Sequence, residues 1–113
     1  RVVCAYCRNG QAVGSEKFAY KLDWLRALTA WLGDELARHP KLALLGDYNI
    51  APDERDAHPD WQEEIHVSPP EREAFRALIA LGLADAFRLF EQPEKSFSWW
   101  DYRMMAFRRN FGL

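Results

Sequence analysis

Apolar residues in the first half of the chain recur at two different periods. Phe18, Leu22, Leu25, Leu28, Leu32 and Leu36 stand three or four apart, the repeat of one helix face, and Trp24 and Trp31 widen that face. The pattern predicts a helix from about Glu16 to Arg38, stopped by His39-Pro40, with both Trp side chains in the core. On either side the period changes. Arg1 to Tyr6 is an apolar run that reads as a strand, followed by a polar turn, Arg8-Asn9-Gly10-Gln11, and a second apolar run opens at Leu42 directly after the helix. Strand, crossover helix and strand in that order predict a parallel pair.

The second half is more broken. Residues 51–67 are polar and contain Pro, which predicts a surface loop, with His58 and His66 as solvated loop residues rather than metal ligands. Ser68-Pro69-Pro70-Glu71 has the form of a capping box with Pro at the first helical position, and Phe75, Leu78, Ile79 and a stop at Gly82 complete a second helix. Leu83 to Phe90 adds a short helical turn. After a turn at Gln92-Pro93-Glu94-Lys95, the aromatic run Ser96-Phe97-Ser98-Trp99-Trp100 predicts a third strand.

The second strand runs straight into polar residues, Leu44-Leu45-Gly46-Asp47-Tyr48-Asn49. Alternation along a strand would aim Asp47 and Asn49 the same way. A carboxylate there can take a proton from an attacking water or hold a hard cation, and the neutral amide can donate to a phosphoryl oxygen. The same two residues can equally be turn-formers that bond their own backbone. A calcium loop of the EF-hand type is excluded, because it would need an oxygen ligand at Ala51 and Gly at Pro52. Cys4 and Cys7 form a lone C-x-x-C whose members would face opposite sides of a strand, so they read as two reduced, space-filling thiols.

With 113 residues, 49% of them hydrophobic and 28% charged, the chain is one globular unit or a piece of one, not a disordered segment. It starts without Met inside an apolar run and stops at Asn110-Phe111-Gly112-Leu113, so both ends are expected to cut through a larger domain. No stretch has the length of a membrane span, and the expectation is a soluble, cytoplasmic protein. A net charge of −2 means that contact with nucleic acid would have to come from a local patch, for which Arg103, Arg108 and Arg109 are the candidates.

Taken in order, these pieces resemble the middle portion of an exonuclease III-type AP endonuclease of the endonuclease/exonuclease/phosphatase superfamily. Gly46-Asp47-Tyr48-Asn49 resembles the G-D-x-N motif, Pro69-Pro70-Glu71-Arg72 the P-x-E-R segment, and Gly82-Leu83-Ala84-Asp85-Ala86-Phe87-Arg88 the G-L-x-D-x-F-R segment. Phe97-Ser98-Trp99-Trp100-Asp101-Tyr102-Arg103, followed by Asn110-Phe111-Gly112-Leu113, resembles the branch that acts on DNA lesions. The resemblance implies an α/β fold, a partial four-layer α/β-sandwich lacking its N-terminal and C-terminal parts, with residues 1–113 an internal fragment of a single domain.

It also implies roles. Asp47 would be the base for the attacking water, Asn49 would hold that water or a phosphate oxygen, and both would be near Mg²⁺, or Mn²⁺ in its place. Tyr6 would stabilise the phosphoryl transition state and Asn9 would contact the scissile phosphate. Trp99 and Leu113 would wall the base-less sugar, while Arg103, Arg108 and Arg109 would follow the DNA backbone. Cys7 and Arg8 depart from the small apolar residue and Pro of the family, which predicts a looser turn at Asn9. Phe111 replaces a basic residue.

The implied activity is magnesium-dependent hydrolysis of DNA phosphodiesters at abasic sites and 3′ ends, with double-stranded DNA as partner and a monomeric full-length protein. The family's metal-binding Glu, R-I-D and S-D-H motifs have no counterparts here, so the segment alone is expected to be inactive and unstable or self-associating. Two alternatives stay open: a non-catalytic DNA-binding remnant, and a phosphodiesterase of the same superfamily acting on another substrate.

Overall fold

A computed structural model describes residues 1–62 and 64–113. Strand β1 (Val2–Tyr6), helix α1 (Glu16–Arg38) and strand β2 (Ala43–Asp47) form a parallel crossover unit in the register Val2↔Ala43 to Tyr6↔Asp47. Helix α2 (Pro69–Ile79) follows, and two short 3₁₀ turns lie at Glu54–Asp56 and Phe87–Leu89. Among the described residues no helix is long and apolar enough to cross a membrane.

Helix α1 begins where the Ser15 hydroxyl accepts the Phe18 N–H at 3.1 Å. It ends at His39, whose N–H reaches the Glu35 carbonyl at 2.7 Å, just before Pro40. Its buried stripe is Phe18, Lys21, Leu25, Leu32 and Glu35, so two ionisable residues occupy positions that the apolar period assigned to Leu22 and Leu36. Trp31 is 45% exposed, which corrects its expected place in the core, whereas Trp24 packs against it. Each buried charge is paired: Lys21 with Glu71, and Glu35 with Arg38 at 2.7 Å and Arg1 at 3.5 Å.

The main core lies between one sheet face and the two helices. Cys7, Leu25, Leu32 and Leu78 are its buried centre, with Leu28, Leu42, Leu44, Tyr48 and Ile50 packed around them. The opposite sheet face stays open, with Val2, Tyr6 and Leu45 exposed. Gly46 permits the two strands to approach: at its φ of +137°, a Cβ would sit 1.8 Å from the Ala5 carbonyl oxygen. A second cluster, Ala51, Ala57 and Val67 with Trp61 and Leu113, anchors the loop after β2 to the C-terminal segment.

The expected third strand does not form. Residues 96–100 are irregular, and the sheet is two-stranded among the described residues. A strand needs a ladder, and among the described residues the partner of the aromatic run is the dipeptide Gly112-Leu113, which supplies an isolated antiparallel bridge from Trp100 to Gly112. Nor does β2 extend to Asn49. It ends at Asp47, and Asn49 has a left-handed φ of +50°, so the alternation argument stops short of it.

Candidate active site

The ends of β1 and β2 and the loops behind them open into a cleft of about 1000 Å³. Asn9, Asp47, Asn49, Trp99, Arg103 and Leu113 all line it. Tyr6 lines a neighbouring groove, which shares Asn9 with the cleft and also holds Arg8, Lys17 and Tyr20. Arg108 and Arg109 are exposed outside both, and Arg109 lies over the Phe111 ring at 5.9 Å.

Asp47 is exposed at the mouth of β2, and its Oδ1 accepts the Asn49 N–H at 2.9 Å. This is the turn-forming geometry, and it coexists with availability for chemistry, because Oδ2 has no partner among the described residues. The Asn49 amide donates from Nδ2 to the Cys7 carbonyl at 2.9 Å, and its Oδ1, with no partner among the described residues, is left as an acceptor. An acceptor can hold a water or a cation. One N–H of Asn49 is therefore already committed, which narrows its expected role as a phosphate donor.

Asn9 is not on a loose turn. Its Oδ1 accepts the Gln11 N–H at 2.8 Å, and Ser15 Oγ donates to the neighbouring Gly10 carbonyl at 3.0 Å. The expected laxity is not seen, because these side-chain bonds to the main chain brace the turn in place of the absent Pro.

Beneath the two asparagines runs a buried polar network. His66 is buried, contrary to its expected solvation, and holds a φ of +78°. Its Nδ1 lies 2.7 Å from the Asn49 carbonyl and its Nε2 lies 3.4 Å from Asn9 Nδ2. A neutral ring with the proton on Nδ1 satisfies both contacts, and burial pushes its pKa below the ordinary value, with the bond to Asn49 opposing in part. Lys21 Nζ donates to the carbonyls of Asn49 at 2.6 Å and Asn9 at 3.2 Å, and to Glu71 Oε1. Glu71 also accepts the His66 N–H at 3.1 Å, the Ser68 N–H at 3.3 Å and the Ser68 hydroxyl at 2.6 Å. Cys7, on the core side, is a thiol raised to about 11, chiefly by burial.

The far wall is aromatic. Trp61 stacks on Phe111, with ring centroids 5.2 Å apart, and meets Trp99 edge-on at 6.5 Å. Arg103 is engaged by Asp101 through Nε at 3.0 Å and a terminal nitrogen at 2.6 Å, and these bonds hold the Asp101 carboxyl down to about 2. Its charge is thus largely compensated, which weakens the expected basic patch.

This arrangement has close counterparts. A solved 3′-5′ exonuclease (NExo) from Neisseria meningitidis is 46% identical with a TM-score of 0.93, covering 100% of this chain and 45% of that one. A structure of the 3′ phosphatase NExo from Neisseria bound to a product DNA hairpin matches with the same score and identity. The exodeoxyribonuclease of Bacillus subtilis is 33% identical over 114 residues, covering 98% of this chain and 44% of the relative. The chain matches a segment of exonuclease III-type proteins, among them the exodeoxyribonuclease III of Haemophilus influenzae, 31% identical over 122 residues covering 99% of this chain and 46% of the relative. It has the partial α/β fold of that type and spans less than half the length of the relatives it matches. No family model matches it.

Sequence reasoning missed several residues around this exonuclease III-type cleft: Lys21, Glu71, His66 and Trp61. Lys21 carried a usable signal, since it falls three after Phe18 and four before Leu25 on the buried stripe. Glu71 was visible as the third residue of a capping box and within the P-x-E-R segment, but not as the partner of a buried cation. Trp61 and His66 lie in the irregular loop, where no period betrays an inward side chain.

Proposed function

We propose that the protein carrying this segment is a DNA repair nuclease that hydrolyses phosphodiesters at abasic sites and 3′ ends. The observation that carries the reading is the convergence of Asp47, Asn49 and Asn9 in one cleft with Trp99 and Leu113 on its wall. Likeness to a 3′-5′ exonuclease and an exodeoxyribonuclease supports DNA as substrate.

In this reading the free oxygen of Asp47 takes a proton from a water, whose oxygen attacks phosphorus as the bond to the leaving oxygen breaks. Asn49 Oδ1 orients that water. Asn9 Nδ2, which His66 leaves with a second N–H, donates to a phosphate oxygen. Tyr6 reaches the phosphoryl group from the adjoining groove, and Trp99 stacks beside the sugar. Arg103, with the more distant Arg108 and Arg109, follows the flanking backbone.

Mg²⁺, or Mn²⁺, is the proposed cofactor of the whole protein, but the described residues do not fit it. Among them no three His, Cys, Asp or Glu side chains gather, leaving Asp47 and Asn49 Oδ1 where a near-octahedral ion needs more oxygens. We therefore expect the segment alone to be inactive. The deciding experiment incubates the complete protein with an abasic duplex and a recessed 3′ end, with and without Mg²⁺. Metal-dependent cleavage supports the reading, while salt-sensitive binding that leaves the DNA intact identifies a non-catalytic remnant.

A further inference from the structure

We propose that Lys21, locked against Glu71, is a positioning residue that fixes the distance between the two loops carrying Asn9 and Asn49. The inference rests on the nuclease reading above and assigns a role to a pair that the proposed chemistry does not use.

Lys21 and Glu71 are both fully buried. A buried ion pair is weak evidence for stability, since desolvation of the two charges offsets much of their attraction. The geometry accounts for it better. An ammonium has three N–H donors, and here they divide among Glu71, the carbonyl of Asn9 and the carbonyl of Asn49. Those carbonyls belong to different loops, one following β1 and one following β2. No neutral side chain of similar length offers three donors from one atom.

The carboxylate partner is equally committed. Both Glu71 oxygens are occupied, by Lys21 and the His66 N–H on one side and by Ser68 on the other. The start of α2 thus holds Lys21, and α1 carries Lys21 beneath the site. Gly10 leaves room for it, because a Cβ there would lie 3.0 Å from Lys21 Cδ. The Asn49 side chain, fixed at the other end to the Cys7 carbonyl, then has one orientation, as does Asn9 through Gln11. Reaction rates depend steeply on such placement, and a displacement of about 1 Å can cost about a hundredfold.

The test is made on the complete protein with the paired variant Lys21→Met/Glu71→Gln, which removes both charges together and so leaves no buried charge unpaired. Two readouts are taken: kcat and KM on an abasic duplex, and hydrogen exchange at the Gln11 and Asn49 amides, which mark the two turns. The expected result is a fall in kcat of at least about tenfold with KM within about threefold, together with faster exchange at both amides while α1 keeps its protection. Unchanged exchange at the two amides overturns the proposal, as does faster exchange with unchanged kcat. If the paired variant does not fold, Lys21→Arg, which keeps the ion pair but moves the donors, is expected to give the same kcat loss, and normal kcat overturns the proposal. A wild-type protein that cleaves no phosphodiester sinks the nuclease reading instead, and the exchange data alone then decide whether Lys21 holds the loops.

Discussion

Leu113 and Trp99 exchange both main-chain hydrogen bonds, at 2.9 Å and 3.0 Å, as directly opposed residues of an antiparallel pair do. Opposed residues project to the same side, so the two candidate walls of a sugar pocket are set beside each other by backbone alone. Trp99 is 47% exposed and shares only an edge contact with Trp61. Trp99→Ala is therefore expected to cost about 1–2 kcal/mol of stability, less than a fully buried Trp. Its affinity for an abasic duplex should fall about tenfold. Fluorescence anisotropy beside chemical denaturation checks this, and unchanged affinity removes Trp99 from the interface.

Asp47→Asn separates chemistry from architecture. The new amide oxygen can still accept the Asn49 N–H, so the turn after β2 survives, but the proton acceptor is gone. Cleavage by the complete protein should drop by orders of magnitude, with binding of abasic DNA within a few-fold of wild type. Single-turnover rates and equilibrium binding on one substrate make the comparison. Normal cleavage would take Asp47 out of the mechanism.

Burial lowers the His66 pKa, so the unfolded chain binds a proton more readily than the folded one between the two values. Stability contributed by the neutral ring is therefore present above about pH 6.5 and is lost as the pH falls toward the lowered folded value. His66→Asn keeps an N–H donor near the Nδ1 position and tolerates the left-handed backbone, and it should flatten this slope. Urea midpoints between about pH 5 and pH 7.5 measure it. A slope unchanged by the substitution would assign the dependence to another group.

Removing Lys21 alone should be far worse than removing the pair. Lys21→Met leaves the Glu71 carboxylate buried without its cation, at a cost of about 3–5 kcal/mol, and Lys21→Met/Glu71→Gln should recover much of that. A double-mutant cycle in denaturant reads the coupling. Additive losses would mean that the two side chains do not depend on each other.

The crossover unit was legible because a period of three to four, flanked by two apolar runs and closed by His39-Pro40, leaves few alternatives. Helix α2 was legible from its cap. The run at 96–100 misled because strand propensity describes residues and not partners, and Gly112-Leu113 is too short to build a ladder. In the site, Asp47 and Asn49 stood out by type. Lys21 and Glu71 did not, because a charge on a helix ordinarily reads as surface; the helical period could place Lys21 on the buried face, but the packing of α1 beneath both loops is what shows its partners.

The two cysteines fall on opposite sides of the burial boundary, Cys4 exposed and Cys7 enclosed and kept protonated at neutral pH. A thiolate is the reactive species, so an alkylating reagent distinguishes them without mutation. Modification of the second thiol requires the core beneath the cleft to open. The chain therefore carries an intrinsic chemical clock for unfolding, and its covalent record sits two residues from Asn9.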